Sequence, residues 1–314
     1  MGGPEGLIDV PAIQFRAPTV GDGRAVLAML VARDLVDYGV PDMTLAELED
    51  EWSAESFDLD ADAIVAQTQA GAIAGYAVIH RPGAMGFVSV DHEGQGVGTR
   101  LVHWARERER ELGRAHHRQA IPAGNARARE LLLASGYQYE RSFSRMVRPL
   151  EGSEREPVPG GGLVQRTFAP ETDPRAVHAL DEFSFAANAD FQAETLEEFT
   201  DEHLRPREFA PELSLVVHDA DTMVGFLLAR RWSEQAVGFI DLLGVHPQWR
   251  GRGVGSALLR TAFARFAADG LRKAQLGVAS DNPGALQIYE RAGMRPRFVV
   301  DAYVRELDDS AGPA

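Results

Sequence analysis

The stretch that decides the fold is Val245–Gly255, VHPQWRGRGVG, which joins a strand-like run to a helix-like run. The run before it ends in GFIDLLGV, and the run after it reads SALLRTAFARFAADG. Glycine has no Cβ atom, so it permits left-handed backbone conformations and the close approach of a ligand. A helix start also offers unpaired N–H groups and the positive end of the helix dipole, both of which attract anions. The pattern predicts either a simple strand-to-helix turn or an anion-binding loop.

The same pattern occurs a second time in the chain. The segment EGQGVGTRLVHWARERERELG (93–113) aligns with RGRGVGSALLRTAFARFAADG (250–270) at a constant offset of 157 residues. Two further pairs of segments share this offset, GNARARELLLASGY with DNPGALQIYERAGM and MVRPL with YVREL. Three matching blocks at one offset indicate a tandem duplication.

The duplication defines the predicted domains. We expect a first domain over residues 1–150, a linker over 151–162 and a second domain over 163–314. The linker sequence, EGSEREPVPGGG, is polar and rich in Pro and Gly, as flexible connections are. Within each copy, short apolar runs alternate with amphipathic stretches, which predicts an α/β unit used twice.

Composition narrows the classes of function. The chain has 314 residues, enough for two domains, and a formal net charge of −15. This charge disfavours binding to nucleic acid or to an anionic membrane surface. The absence of cysteine excludes disulfides, thiolate catalysis and Cys-based metal sites. The N-terminus has no signal-peptide pattern and no run reaches the length of a membrane span, so we expect a soluble, cytoplasmic protein.

The second copy resembles GCN5-related N-acetyltransferases (GNAT) along essentially its whole length. The family signature is Gln/Arg-x-x-Gly-x-Gly/Ala after the fourth strand, and Arg250, Gly253 and Gly255 match it. Asn282 and Tyr289 stand where the family commonly has a cofactor-contacting Asn and a Tyr-x-x-x-Gly turn. The resemblance implies an α/β fold of the acyl-CoA N-acyltransferase type in each copy, with a mixed central sheet flanked by helices. It also implies acetyl-CoA as cosubstrate, an amine acceptor and no metal.

The resemblance gives the opening motif a chemical interpretation, because the loop would bind the pyrophosphate of acetyl-CoA. Glycines in the loop would let backbone N–H groups wrap the anion, and the helix that follows would add its dipole. The resemblance also implies that the fourth and fifth strands separate, which frees a backbone N–H near Leu243 for the acyl oxygen. The predicted acyl-CoA-binding residues are Leu243, Val245, Arg250, Gly251, Arg252, Gly253, Val254, Gly255, Ser256 and Asn282.

Two side chains are candidates for catalysis. By the resemblance, Tyr289 would protonate the departing thiolate of coenzyme A; the alternative is a core aromatic of its helix. Asp241 precedes Leu243 and Val245 by two and four residues, so a regular strand would place all three side chains on one face. A carboxylate among apolar neighbours is costly unless it is paired. Asp241 is therefore either a base with a raised pKa or one partner of a salt bridge.

The first copy departs from the second at these positions. Glu93 replaces the first residue of the motif, Leu132 replaces the tyrosine and Ala84 replaces the aspartate. The glycines of the loop remain, but a carboxylate beside a pyrophosphate is unfavourable. We expect a largely structural first domain without catalysis, and the sequence leaves open whether it binds acyl-CoA.

Other polar clusters have less specific patterns. His116 and His117 lack the spacing of metal ligands and are predicted to lie in a surface loop, and the run RERERE (106–111) is predicted to be a solvated helix face. An acidic rim would favour a cationic acceptor, because the first two helices of the family border the acceptor pocket; a solvated helix face is the alternative. The residues of this rim are Asp181, Glu182, Asp190, Glu194, Glu197 and Glu198.

The sequence thus predicts that the second copy is an N-acetyltransferase that acts on a primary amine within a ternary complex. One alternative, suggested by two-copy members of the family, is acetylation of a cysteinyl pseudo-disaccharide. Another is a non-catalytic acyl-CoA-binding regulatory module. Both a monomer and a homodimer agree with the sequence.

Overall fold

The computed structural model describes residues 13–54, 57–80, 83–157, 162–186, 191, 193–233 and 235–307. The chain forms two compact units. The first unit comprises Met1–Ser53, Phe57–Glu140 and Ala302–Ala314, and the second comprises Ala54–Ser56 and Arg141–Asp301. Within the described ranges, no helix combines the length and the apolar character needed to cross a membrane.

The first unit is a mixed sheet with helices. Its strands follow the order β1-β2-β3-β4-β5, with the end of β12 (Arg295–Glu306) beside β5. Neighbouring strands from β1 to β4 are antiparallel, and β4 and β5 are parallel. The elements are β1 (Gln14–Arg16), α1 (Gly23–Asp37), α2 (Leu45–Ser53), α3 (Leu59–Asp62), β2 (Ala63–Gln67), β3 (Ile73–Ile79), β4 (Ala84–Val88), α4 (Val97–Glu111), β5 (His116–Pro122), α5 (Ala126–Ala134) and the start of β6 (Gln138–Pro149).

The second unit repeats this architecture. Its strands follow the order β12-β6-β11-β10-β9-β8-β7, in which only the first part of β12 belongs to the unit. The strands β10 and β11 are parallel, and β9 and β10 are antiparallel. The remaining elements are β7 (Val164–Thr167), α6 (Pro174–Phe185), α7 (Leu196–Phe199), a π-helical turn (Thr200–Leu204), β8 (Leu215–Asp219), β9 (Thr222–Trp232), β10 (Val237–Val245), α8 (Val254–Ala268), β11 (Lys273–Ala279), α9 (Pro283–Arg291) and β12 (Arg295–Glu306).

Two apolar clusters hold the second unit together, one on each face of the sheet. Phe263 and Phe266 of α8 are fully buried against one face, because the apolar positions of the helix fall on the side that meets the sheet. Phe199 of α7 and Phe226 of β9 are fully buried on the other face, beside α6. The sheet thus lies between two helical layers, as the sequence predicts.

The boundaries of the compact units differ from those of the sequence repeat. Residues 141–149 of β6 lie in the first copy, yet they pair with β11 in the second unit, where Met146 is opposite Leu276. Residues 302–307 lie in the second copy, yet they belong to the first unit, where the N–H of Leu307 donates to the carbonyl of Ala115. The two final strands have similar apolar patterns, so each has the pattern needed to complete either sheet. Residues 151–157 of the predicted linker form no helix or strand, and residues 158–161 lie outside the described residues.

Candidate active site

The glycine loop has the backbone conformation of an anion-binding loop. Gly251 has φ +74° and Gly253 has φ +84°, in the left-handed region that side chains with a Cβ rarely adopt. Gly253 is also the N-cap of α8, and it supplies no side-chain hydrogen bond to the first turn. The space beside both glycines is open to 4 Å. The first N–H groups of α8 are therefore presented to a ligand rather than to a capping side chain.

The strands β10 and β11 separate beside this loop. They pair only over Val237–Ile240 of β10, whereas β10 continues to pair with β9 as far as Val245. The edge of residues 241–245 that faces β11 therefore has no strand partner in the described part of the sheet. This is the separation that the sequence resemblance implies, and it leaves backbone groups available for an extended ligand.

The two arginines of the loop have different partners. Arg250 donates to the carbonyl of Val245 at 3.2 Å and to the carbonyl of Ser184, at the end of α6, at 2.6 Å. Arg252 lies over the ring of Trp249, with 4.8 Å between the guanidinium carbon and the ring centroid. Arg250 thus fixes the loop against α6, while Arg252 remains beside the loop as a cation.

Asn282 precedes α9 as its N-cap, and Tyr289 lies on the helix. The side chain of Asn282 accepts a hydrogen bond from the N–H of Ala285 at 3.0 Å and so caps the helix. Tyr289 is 9% exposed, and burial raises its pKa to about 12. Its hydroxyl makes no hydrogen bond to any residue that the structure describes. At neutral pH this hydroxyl keeps its proton and can donate it.

Asp241 does not share a face with Leu243 and Val245, so this part of the sequence prediction is wrong. The strand β10 has a bulge between Ile240 and Leu242, where its register with β9 shifts. The extra residue breaks the alternation of side chains. Asp241 contacts the π-helical turn, whereas Leu243 and Val245 pack with the α8 cluster.

Asp241 is paired rather than free. Its Oδ2 accepts hydrogen bonds from Nδ1 of His203 at 2.7 Å and from a guanidinium nitrogen of Arg230 at 3.1 Å. Burial favours a higher pKa for Asp241, but the two cations outweigh burial and lower its pKa to about 2. Burial favours a lower pKa for His203, but the carboxylate outweighs burial and raises its pKa to about 9. The ion pair that the sequence offers as the alternative for Asp241 is present, and the lowered pKa of this carboxyl does not favour the role of a base.

The sequence pattern does not identify the two partners of Asp241. His203 follows α7 in a stretch of polar residues, and Arg230 lies on a strand with charged neighbours, so neither stands out by spacing. The sequence indicates only that a carboxylate sits among apolar strand residues. Such a group is costly unless a cation lies nearby. The signal predicts that a partner exists without identifying it.

Further carboxylates surround His203. Glu194, Glu202 and His203 each offer a ligand atom within 4.8 Å of the others. Asp181 is 6% exposed, one of its carboxylate oxygens is buried without a hydrogen-bond partner, and burial raises its pKa to about 6. Burial, together with the charge of Glu202, raises the pKa of Glu194 to about 7. Asp181, Glu194 and Glu202 form an acidic cluster, and Asp181 lies on α6 one helical turn before Ser184, the residue that Arg250 contacts.

Only some residues of the predicted acidic rim belong to this cluster. Asp181 and Glu194 belong to it, while Glu198 forms a capping box with Thr195 at the start of α7. Glu182 is half-buried, Glu197 is exposed, and Asp190 lies outside the described residues.

The corresponding loop of the first copy has a different charge environment. Glu93 forms ion pairs with Arg33 of α1 and with Arg127, the second at 2.8 Å. Leu132 is fully buried where the second copy has its tyrosine, and Ala84 is buried where it has its aspartate. The first copy therefore lacks both candidate catalytic side chains, as the sequence indicates.

Two expectations for the first copy are wrong in part, for His117 and for Glu109, whereas His116 and the other residues of the run are exposed or half-buried. His117 is buried on β5 rather than exposed in a loop, and His116 lies on the same strand. Glu109, within the run RERERE, is buried and pairs with Arg114 at 2.8 Å. The helix α4 turns this residue toward the sheet, because it shares a face with the apolar Val102 and Ala105.

The fold and the loop define an acyl-CoA-dependent acyltransferase. Residues 177–294 match the family model described as "Acetyltransferase (GNAT) family". A mycothiol acetyltransferase from Beutenbergia cavernae is 33% identical over 78% of this chain and 84% of its own length. Another from Geodermatophilus obscurus is 31% identical over 88% of this chain and 92% of its own length. The chain therefore belongs to the GNAT acetyltransferase family and is an N-acetyltransferase.

Solved structures agree with this assignment. A GCN5-related N-acetyltransferase from Sphaerobacter thermophilus superposes with a TM-score of 0.80 and 27% identity, covering 96% of this chain and 98% of its own. A tandem GNAT protein from the clavulanic acid biosynthesis pathway has a TM-score of 0.72 at 16% identity and shares the fold over 96% of this chain and 100% of its own. The tandem GNAT architecture predicted from the repeat is confirmed.

Proposed function

We propose that the second copy transfers an acetyl group from acetyl-CoA to a primary amine, and that the first copy has no catalytic role. The observation that carries the proposal is the combination of an uncapped, left-handed glycine loop with separated strands and a protonated tyrosine in one unit. The first copy has the loop and the separated strands but not the tyrosine.

The residues around the loop fit acetyl-CoA. The N–H groups of residues 250–256 would bind the pyrophosphate, because Gly251 and Gly253 leave open space and α8 directs its positive end there. Arg252 would add positive charge in an otherwise acidic protein. The unpaired edge beside Leu243 and Val245 would hydrogen-bond the pantetheine chain, and the N–H of residue 243 would donate to the acyl oxygen.

The reaction is a direct displacement. The amine nitrogen attacks the thioester carbon, the carbon–sulfur bond breaks, and the departing sulfur takes the proton of the Tyr289 hydroxyl. Acetyl-CoA supplies the activated acyl group, and no enzyme nucleophile is needed. Because burial holds the pKa of Tyr289 at about 12, the hydroxyl is fully protonated at neutral pH.

The amine must also lose a proton. Asp241, with a pKa of about 2 and two cationic partners, is too weak a base at neutral pH. Asp181 and Glu194, with pKa values of about 6 and 7, are better matched to accept that proton. We assign Asp241 to the positioning of His203 and the acidic cluster to the amine and its proton.

The acceptor in this proposal is a cationic amine, because the charges of Asp181 and Glu202 both act on Glu194 and place three carboxylates near one another. A second candidate acceptor is a cysteinyl pseudo-disaccharide of the mycothiol type. The similarity to mycothiol acetyltransferases supports this candidate.

The test is Tyr289→Phe, which removes only the hydroxyl. We expect the variant to keep its affinity for acetyl-CoA and to lose at least about 100-fold in kcat on a panel of amines. Tyr137→Phe is the matched control, because this buried tyrosine of the first copy also has a hydroxyl without a hydrogen-bond partner. Normal turnover by Tyr289→Phe would exclude the tyrosine as the acid. A wild-type protein that binds no acetyl-CoA would overturn the proposed function.

A further inference from the structure

The π-helical turn of the second unit carries two potential metal ligands side by side. Glu202 and His203 are consecutive in this turn, and Glu194 lies just before α7. One ligand atom from each of these three residues, here called the ligand triad, lies within 4.8 Å of the other two. The ligand atoms of a tetrahedral ion with bonds of about 2.0–2.1 Å are about 3.4 Å apart. The glutamate side chains therefore need to rotate inward to close the triad around one ion.

The imidazole of His203 is held as the imidazole of a metal ligand is held. Its Nδ1 donates to Oδ2 of Asp241 at 2.7 Å, and Arg230 donates to the same oxygen at 3.1 Å. Histidines that bind metals usually donate their other ring N–H to such a carboxylate, which fixes the tautomer and the orientation of the ring. This bond leaves Nε2 for an ion. On binding, the ion replaces the proton on Nε2, which passes to solvent, while Nδ1 keeps its proton toward Asp241.

The two glutamates of the triad repel each other without compensation. Within the described ranges, neither carboxylate forms an ion pair or a side-chain hydrogen bond, and the charge of Glu202 acts directly on Glu194. Glu202 is exposed and Glu194 is half-buried, so both side chains have room to turn toward a ligand. A divalent cation would remove this repulsion.

A buried carboxylate beside the triad provides a separate indication of a ligand. Asp181 is 6% exposed, and one of its oxygens is buried without a hydrogen-bond partner among the described residues. The charge of His203 acts on Asp181, and the charge of Asp181 acts on Glu194, so this carboxylate faces the triad. An unpaired buried carboxylate is costly. Asp181 thus offers a buried acceptor for a water molecule bound to the ion.

The donor set indicates the kind of ion. One imidazole nitrogen and two carboxylate oxygens suit Zn²⁺ and related transition-metal ions, whereas Mg²⁺ and Ca²⁺ prefer oxygen ligands alone. Three protein ligands also leave the fourth tetrahedral position open to water.

We propose that Glu194, Glu202 and His203 bind a divalent transition-metal ion of the Zn²⁺ type, and that this ion excludes the cationic acceptor. The exclusion rests on the proposed function, which assigns the amine to the acidic cluster, whereas the binding of the ion does not. The ion and the amine need the same carboxylates, so only one of them is bound at a time. The ion is therefore an inhibitor of the reaction and takes no part in the transfer.

Calorimetric titration of the full-length, chelator-treated protein with Zn²⁺ tests the binding. Glu202→Gln and His203→Gln are each expected to weaken binding to this site at least tenfold. Glu171→Gln is the matched control, because Glu171 is exposed in the turn before α6 and its loss changes the charge by the same amount. A wild-type protein that binds no Zn²⁺, or Zn²⁺ binding that survives both triad substitutions, would overturn the proposal.

Mg²⁺ titrated in the same way separates the triad from a general attraction of cations to carboxylates. We expect Mg²⁺ to bind at least 100-fold more weakly than Zn²⁺, because the imidazole is a poor ligand for it. Equal affinities of the two ions would contradict the assignment of His203 as a ligand.

Steady-state kinetics test the exclusion of the amine. Zn²⁺ is expected to raise the apparent KM for the amine without changing the KM for acetyl-CoA, and saturating amine is expected to restore kcat. Inhibition that saturating amine does not relieve would overturn the exclusion. A protein that binds Zn²⁺ at the triad but transfers no acetyl group would contradict the proposed function alone, whereas normal transfer by a protein that binds no Zn²⁺ would contradict the ion site alone.

Discussion

The ion pair between His203 and Asp241 makes stability depend on pH in two windows. Asp241 has a folded-state pKa of about 2, below the ordinary value of about 3.9, so its contribution is present above pH 4 and is lost as pH falls through about 2. His203 has a folded-state pKa of about 9, above the ordinary value of about 6.5. Its contribution is therefore fully present below pH 6.5 and is lost as pH rises through about 9.

The alkaline window gives a measurable prediction. Between pH 6.5 and 9, the free energy of unfolding of the wild-type protein is expected to fall relative to that of His203→Gln. Chemical denaturation at several pH values measures this difference. His203 also lowers the pKa values of Asp181 and Glu194, so these two carboxylates contribute to the difference as well. Asp241→Asn is the companion variant and is expected to cost about 3 kcal/mol, because it leaves the buried His203 and the half-buried Arg230 without their carboxylate. A wild-type curve parallel to that of His203→Gln would show that His203 titrates normally.

For single residues of the site, the sequence predicts the residue types better than it predicts their hydrogen-bond and ion-pair partners. Tyr289, Asp241 and the loop glycines could be found because the motif fixes their spacing. The orientation of Asp241 could not, because one bulge in β10 reverses the alternation on which the prediction depended. Its partner His203 comes from a different element, and no local pattern links the two positions.

The helix α8 has a glycine in the left-handed conformation at each end. Gly253 at the start has φ +84° and Gly270 after the end has φ +82°, and a Cβ at either position would meet no atom within 4 Å. An alanine in the left-handed region costs about 1–2 kcal/mol at either place. The two positions differ only in what they face, because the first is beside the proposed pyrophosphate site.

Gly253→Ala and Gly270→Ala therefore form a matched pair. Both variants are expected to lose about 1–2 kcal/mol of stability, but only Gly253→Ala is expected to weaken acetyl-CoA binding, by at least tenfold. Thermal unfolding and calorimetric titration measure the two effects separately. Equal affinity for acetyl-CoA in the two variants would mean that the loop does not hold the pyrophosphate.

The element order could be predicted from the sequence, and the ends of the elements could be predicted only approximately. The strand before the loop, the loop and the helix that starts near residue 254 follow from apolar period and glycine position. The sequence placed His117 in a loop because two adjacent histidines follow a charged helix, but β5 starts one residue earlier and buries it. Burial in the sheet overrides the local polarity of the segment.

At the scale of the whole molecule, the compact units of the structure do not coincide with the repeat in the sequence. Met146 and Tyr303 are equivalent positions of the two copies, separated by the repeat offset of 157 residues. Met146, in the first copy, is fully buried in the α8 cluster of the second unit. Tyr303, in the second copy, is 3% exposed and packs with Val102, Ile121 and Leu132 in the first unit. The offset could be read from the sequence. The exchange of final strands, in which residues 141–149 join the second unit and residues 302–307 join the first, could not, because the final strands of both copies have equivalent patterns.

Because of this exchange of strands, shortening a buried side chain in one copy is expected to destabilise the unit formed mainly by the other copy. Met146→Ala is expected to destabilise the second unit and Tyr303→Ala the first, each by about 3 kcal/mol, because each leaves a cavity in a core. Hydrogen exchange would measure this locally: Met146→Ala should speed exchange in β11 and α8, and Tyr303→Ala should speed it in β5 and α5. Only Met146→Ala should lower the temperature at which acetyl transfer is lost, because the proposed site lies in the second unit. If each substitution instead loosened the unit of its own copy, residues 141–149 and 302–307 would belong to the domains that the repeat defines, and the two copies would fold independently.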